Sequence, residues 1–317
     1  MDSTLEQVFN RLADGGVHSG ETLAEDLGVS RAAVWKHIET LRQLGLPVTA
    51  EAGAGYRLPS ALRRPCADRI SAHLDRSVDL DLRFLVDSTN ACLQRERSQR
   101  PPPSALIAEG QTLGRGRRAR PWLSPPGAGV YLSLCWRFEC GLLGLSALSL
   151  VTGIATAEVL ESYGLESVRL KWPNDLWIDS KKLGGCLIEI SGSAEGPCES
   201  VTGLGINLDL GRVEGIDQPW TDLARQGLAP DRDRLYADLI NALARAYEEL
   251  DRHGFSAFEA RWPGLDGLNG RSVRVSGGRG EPIRGTARGV DGQGRLLLET
   301  CDGLQAVGSG EISVRLE

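Results

Sequence analysis

The sequence runs to 317 residues, of which 41% are hydrophobic and 25% charged, a length and composition that exclude a wholly disordered chain and predict two or three domains with cores of their own. A formal net charge of -6 and a pI near 5.4 exclude binding of polyanions through bulk charge, so any nucleic-acid contact belongs to a local patch. Seven cysteines, an odd number with no CxxC pair, exclude a disulfide framework and a zinc site of recognisable spacing.

Reduced thiols, and an opening that carries Asp2 and Glu6 where a signal peptide has basic residues, predict a cytoplasmic protein. The longest uncharged stretch, 141–157, is short for a membrane span and interrupted by Gly, Ser and Thr, so it reads as a buried helix and no membrane partner is expected.

The first sixty residues read as three short helices and a hairpin. Leu5, Val8, Phe9 and Leu12 make one apolar stripe. Ser19 caps a second helix that carries Leu23 and Leu27 and stops at Gly28, and Ser30 caps a third, with Val34, Ile38 and Leu41 inside. Helix, Gly28-Val29-Ser30, helix is the spacing of a helix-turn-helix. Ser30, Arg31, Ala32, Trp35 and Lys36 then fall on the side that would enter a major groove, and 47–50 with 55–58 form a wing. Acidic residues outnumber basic ones eight to five in this stretch, so a three-helix protein-interaction module is the alternative.

A linker is expected at 58–65. Beyond it, strand-like runs at 82–86, 105–109, 130–138, 167–171, 185–190 and 200–208 are interrupted by helices near 143–163 and 232–252, which predicts a mixed sheet with helices. From about residue 270 short β runs at 272–276, 282–290, 295–300 and 312–316, separated by Gly-rich turns, predict a small β-barrel. The fold class is therefore α+β.

Two clusters carry chemistry. Gly114-Arg115-Gly116-Arg117-Arg118-Ala119-Arg120-Pro121-Trp122 packs four arginines and an aromatic ring into nine residues. Its glycines let backbone N–H groups approach a ligand, and its guanidiniums suit carboxylate or phosphate; a solvated basic loop has the same composition. Lys171-Trp172-Pro173-Asn174-Asp175-Leu176 ends a strand and turns toward Lys181-Lys182-Leu183-Gly184-Gly185. A carboxylate attacking a nucleotide α-phosphate makes a centre rich in negative charge, for which fixed cations such as Lys171 and Lys182 are the requirement. Taken singly, either lysine is more often just a surface charge.

Taken together with Ser88-Thr89-Asn90, Gln111 and Gly203-Leu-Gly-Ile-Asn207, the order and spacing of these motifs are similar to bifunctional biotin protein ligases that double as biotin operon repressors. The resemblance runs from the first helix to Glu311-Ile312-Ser313. It implies a winged helix over 1–62, a catalytic domain related to class II aminoacyl-tRNA synthetases over 63–268 and an SH3-like barrel over 269–317. It further implies ATP and Mg2+, with biotin as substrate, a biotin carboxyl carrier domain of acetyl-CoA carboxylase and operator DNA as partners, and a homodimer promoted by ligand. Biotin would be held by Ser88, Thr89, Asn90, Gln111, Gly114, Arg115, Gly116, Arg117, Lys182 and Gly185. The nucleotide would meet Arg117, Arg118, Arg120, Trp122, Lys171, Asn174, Asp175, Lys182 and Asn207, with Trp220 over the adenine. Lys182, Arg115 and Arg117 are the implied catalytic cations, and Asp175 the implied magnesium ligand.

Two positions depart from the family pattern: Ala119 stands where many members have glycine, and Pro121 follows Arg120. Both are expected to stiffen the loop. The competing readings are a lipoate-type acyl-adenylate ligase and a transcription regulator that senses a small molecule without catalysis.

Overall fold

The computed structural model describes residues 3–317 except 212, 214, 278–280 and 311. Met1, Asp2 and Glu311 thus lie outside the described residues.

Helix α1 (Ser3–Leu12) buries Leu5, Val8, Phe9 and Leu12. Ser19 caps α2 (Gly20–Leu27) by accepting the Thr22 N–H at 3.0 Å, and Gly28 ends it at φ 65°, a left-handed conformation that glycine adopts without steric cost. Ser30 caps α3 (Arg31–Gln43), whose buried stripe is Val34, Ile38 and Leu41. Strands β1 (Thr49–Glu51) and β2 (Gly55–Arg57) pair antiparallel as the wing.

This module is fused to the central domain. Its apolar core takes in Phe84 and Leu85 from that domain, and the Phe9 and Phe84 rings lie 5.0 Å apart. Arg64, in the linker, ion-pairs with Glu6 of α1 and with the fully buried Glu109.

The central domain comprises α4 (Ala67–Ser71), β3 (Asp79–Val86), α5 (Thr89–Glu96), β4 (Ser104–Gln111), β5 (Gly129–Phe138), α6 (Gly141–Gly144), α7 (Leu148–Ser162), β6 (Arg169–Lys171), β7 (Asp175–Ile178), β8 (Lys181–Gly192), β9 (Cys198–Asn207), α8 (Arg232–His253) and α9 (Trp262–Leu265). Its seven strands lie in the order β3-β4-β5-β9-β8-β7-β6, with β3 and β4 parallel and the other neighbours antiparallel. The uncharged stretch becomes α7, buried nearly all round, and it packs on α8, which buries Leu235, Leu239, Leu243, Ala246 and Leu250. Among the described residues no helix is long and apolar enough to cross a membrane.

Strands β10 (Ser272–Gly277), β11 (Ile283–Val290), β12 (Leu296–Thr300), β13 (Gly303–Val307) and β14 (Ile312–Leu316) form an antiparallel sheet in the order β13-β12-β11-β10-β14. Val273, Val275, Ala287, Leu296, Leu298 and Val314 join the main apolar core, and the Trp172 indole donates to the Gly294 carbonyl at 2.9 Å.

Helix α5 and strands β7 and β13 have no counterpart among the elements expected from sequence. Helix α5 carries little apolar periodicity because two of its four buried residues, Thr89 and Asn90, are polar. Strand β7 is only four residues long and its residues read locally as part of a turn; its pairing with β6 and β8 supplies the signal that its length does not.

Candidate active site

The site lies where α5, the ends of β4, β8 and β9, and the 114–122 loop converge. Its floor is polar and tightly linked. Thr89 donates its backbone N–H to Gln111 Oε1 at 2.9 Å, and Gln111 Nε2 donates to Ser124 Oγ at 2.9 Å. Ser133 Oγ lies 2.6 Å from Asn90 Oδ1 and 2.7 Å from Thr89 Oγ1. Ser88 serves as the N-cap of α5, accepting from the Ala91 N–H. Ser88, Thr89 and Asn90 are all buried. Hydrogen-bonded polar groups inside an apolar shell are what a small ligand with several donors and acceptors requires.

Glycines bring backbone to this floor. A Cβ at Gly114 would lie 2.4 Å from the Trp122 carbonyl oxygen, so any side chain there would force the loop open. The loop closes on itself through Gly116 N–H to Arg120 O and Trp122 N–H to Gly114 O, both at 2.8 Å. A Cβ at Gly205 would lie 2.7 Å from the Trp122 ring, and one at Gly185 3.1 Å from the Asn174 carbonyl oxygen.

Beside the floor sit the cations. Lys182 Nζ lies 2.7 Å from Asp175 Oδ1 and 5.3 Å from the Trp122 ring centroid. Lys171 Nζ lies 3.9 Å from Asp175 Oδ2 and 4.8 Å from the Trp177 ring centroid. Burial holds the Lys171 ammonium below its ordinary pKa, Asp175 opposes this, and the nearby Lys182, Arg120 and Arg315 add to it. Burial likewise lowers Arg117, whose guanidinium donates to the Ser309 and Gly310 carbonyls of the C-terminal domain. Arg115 donates to Glu189 at 2.9 Å.

Three domain models match in chain order: an HTH domain over residues 4–57, the Biotin/lipoate A/B protein ligase family over 82–207, and a Biotin protein ligase C terminal domain over 269–315. The bifunctional ligase/repressor BirA of Salmonella typhimurium is 44% identical over 97% of this chain and 96% of its own, and that of Bacillus subtilis 30% identical over 93% of both. A biotin protein ligase from Aquifex aeolicus, solved in complex with biotin and ATP, is 30% identical with a TM-score of 0.66, covering 75% of this chain and 99% of that one. The chain belongs to the biotin protein ligase family, in its bifunctional ligase/repressor group.

In this ligase the fold brings most of the residues picked out by sequence to one place, and it gives two of them work inside the protein. Asn174 Nδ2 donates to the Cys186 carbonyl at 2.8 Å, clamping β8. Asn207 Nδ2 donates to the Thr221 carbonyl at 2.9 Å, linking the end of β9 to the 221 segment. Trp220 adjoins Lys182 through a parallel bridge, with Arg225 stacked 3.7 Å from its ring centroid. Asp175, the implied magnesium ligand, lies between two ammonium groups, with Lys182 Nζ at 2.7 Å and Lys171 Nζ at 3.9 Å. Ala119 and Arg118 adopt φ of 55° and 57°, so the departure from glycine places a side chain in a left-handed turn and strains the loop as well as stiffening it.

Sequence reasoning missed Ser124, Ser133 and Glu189, which complete the floor. The signal was present for two of them: Ser133 and Glu189 are single polar residues inside the apolar runs 130–136 and 186–190. It also missed Arg274, Ser276, Ser313 and Arg315, which with Arg118 and Arg120 line a cavity of about 440 Å³. Arg274 and Arg315 face each other across β10 and β14, an unfavourable pairing that a bound anion would relieve. On α3, Arg31, Ala32, Trp35 and Lys36 are exposed, Trp35 at 58%, while Ser30 is used as the cap.

Proposed function

We propose that this ligase joins biotin to ATP and passes the biotinyl group to a carrier lysine, and that the loaded form represses transcription. A biotin carboxylate oxygen forms a bond to the α-phosphorus as the bond to the β-phosphate oxygen breaks, releasing pyrophosphate and leaving biotinyl-5'-AMP. The carrier lysine amine then attacks the acyl carbon; the C–O bond to AMP breaks, an amide forms and the amine proton is lost.

The observation that carries this reading is the triad of Lys182, Asp175 and Lys171 beside a polar, glycine-lined floor and beneath a four-arginine loop. Thr89, Asn90 and Gln111 suit the ureido ring. Lys182 would neutralise charge as the carboxylate meets the α-phosphate, with Arg117 and Arg115 beside it; Asp175 holds that ammonium in place. Magnesium would arrive on the nucleotide phosphates, with Asp175 the proposed protein carboxylate to meet it.

The proposed domain limits are 1–62, 63–268 and 269–317, and the chain would act in the cytoplasm, in keeping with its seven free cysteines. A biotin carboxyl carrier domain, operator DNA and a second copy of the chain are the proposed partners. Purified protein incubated with biotin and MgATP should retain biotinyl-5'-AMP, visible by mass spectrometry, and should label a carrier domain. Equal use of lipoate in its place would favour the lipoate-type ligase, and no adenylate with either acid would leave a regulator alone.

A further inference from the structure

Glu189 projects from β8 between two groups of the pocket. One carboxylate oxygen accepts from Arg115 at 2.9 Å, and the other accepts from Asn90 Nδ2 at 2.9 Å. Asn90 is itself fixed: it is buried, its amide also reaches the Leu187 carbonyl at 3.2 Å, and a Cβ at Gly203 would lie 2.4 Å from its Oδ1. Glu189 therefore ties an anchored floor residue to the first arginine of the 114–122 loop.

The far end of the same loop is tied to the same floor. Ser124 Oγ, which donates to the Trp122 carbonyl at 3.1 Å, accepts from Gln111, and Gln111 accepts from Thr89. Between these two attachments the loop is closed by its own backbone hydrogen bonds, so holding Arg115 holds the segment as a unit.

We propose that Glu189 is a positioning residue of the substrate pocket: its ion pair with Arg115 latches the loop over the bound acid and slows its release. The proposal rests on the biotin reading of the pocket. The Arg115 and Glu189 side chains are 42% and 29% exposed, so the pair adds little to global stability. Its effect falls on the local equilibrium between closed and open loop, to which the Arg117 tie and the loop's own backbone hydrogen bonds also contribute.

Glu189→Gln keeps the size of the side chain and an oxygen for Asn90 while removing the charge. Biotin release, followed by stopped-flow fluorescence on the full chain, should become about three- to tenfold faster, with the thermal midpoint unchanged. In an Arg115→Ala background the same substitution should have no further effect. Release at the parent rate, or equal acceleration with and without Arg115, overturns the latch. A parent protein that binds lipoate and not biotin overturns the ligand assignment instead.

Discussion

Lys182 and Lys171 share one carboxylate, Asp175, at 2.7 and 3.9 Å, so the three side chains leave a net positive charge next to the polar floor. A preorganised cation aimed at a developing anion is typically worth a few kcal/mol. Lys182→Ala should therefore slow adenylate formation by at least about a hundredfold, measured as pyrophosphate release; a rate near the parent's would remove Lys182 from the chemistry. Ala119 tests backbone strain. At φ 55° it sits where an L side chain costs about 1 kcal/mol, which glycine relieves at the expense of a more flexible unfolded chain. Ala119→Gly should raise unfolding free energy slightly, by less than about 1 kcal/mol, in urea titration, and a clear loss would show that the strain is not there.

The 114–122 loop and the interdomain linker work as elements through single arginines. Arg117 ties the loop to the C-terminal domain through the Ser309 and Gly310 carbonyls. Arg117→Gly removes that tie together with a cation, and free biotinyl-5'-AMP should escape and label lysines indiscriminately. A variant that modifies only its carrier, and holds the adenylate as long as the parent, would show that the loop is not a lid.

In the linker, Arg64 is the ion-pair partner of fully buried Glu109. Burial raises the Glu109 carboxyl above its ordinary pKa while Arg64 opposes that rise. A carboxyl raised in the folded state binds protons more readily there than in the unfolded chain, so its charged form erodes stability as pH climbs through the raised value. Arg64→Ala should cost about 3 kcal/mol near neutral pH. The loss should shrink on acidification, where Glu109 is neutral; a loss independent of pH between 5 and 8 would show that the charge is not its cause.

At the scale of the whole molecule, a DNA-reading module and an adenylate-making domain are joined where Phe84 and Leu85 enter the module's core, on a chain of net charge -6. One winged helix with so few cations should bind an operator weakly, because phosphate neutralisation supplies much of the affinity. Two copies on a palindrome would bind far better. If the adenylate orders the loop and neighbouring edges so that two ligase domains pair, ligand drives dimerisation and dimerisation drives repression. Sedimentation should show a dimer only with biotin and MgATP, and operator affinity should rise with it. A chain that stays monomeric in both conditions, or binds DNA equally well without ligand, would leave the enzyme intact and end the regulatory half of the proposal.

The caps at Ser19 and Ser30, the stop at Gly28 and the stripe Val34, Ile38, Leu41 were determined by sequence alone, because capping and helical periodicity act within a few residues. The arginine loop and the Lys-Trp-Pro-Asn-Asp run were legible for the same reason: each is contiguous. Glu189 beside Asn90, ninety-nine residues apart, was decided only by the pairing of β8 with β9 and the packing of α5 on β9. So were the carbonyls of residues 309 and 310 around Arg117, and the buried link from Arg64 to Glu109. No local pattern encodes such contacts, since a charge meets its distant partner only after the sheet has set the register and the apolar faces have closed.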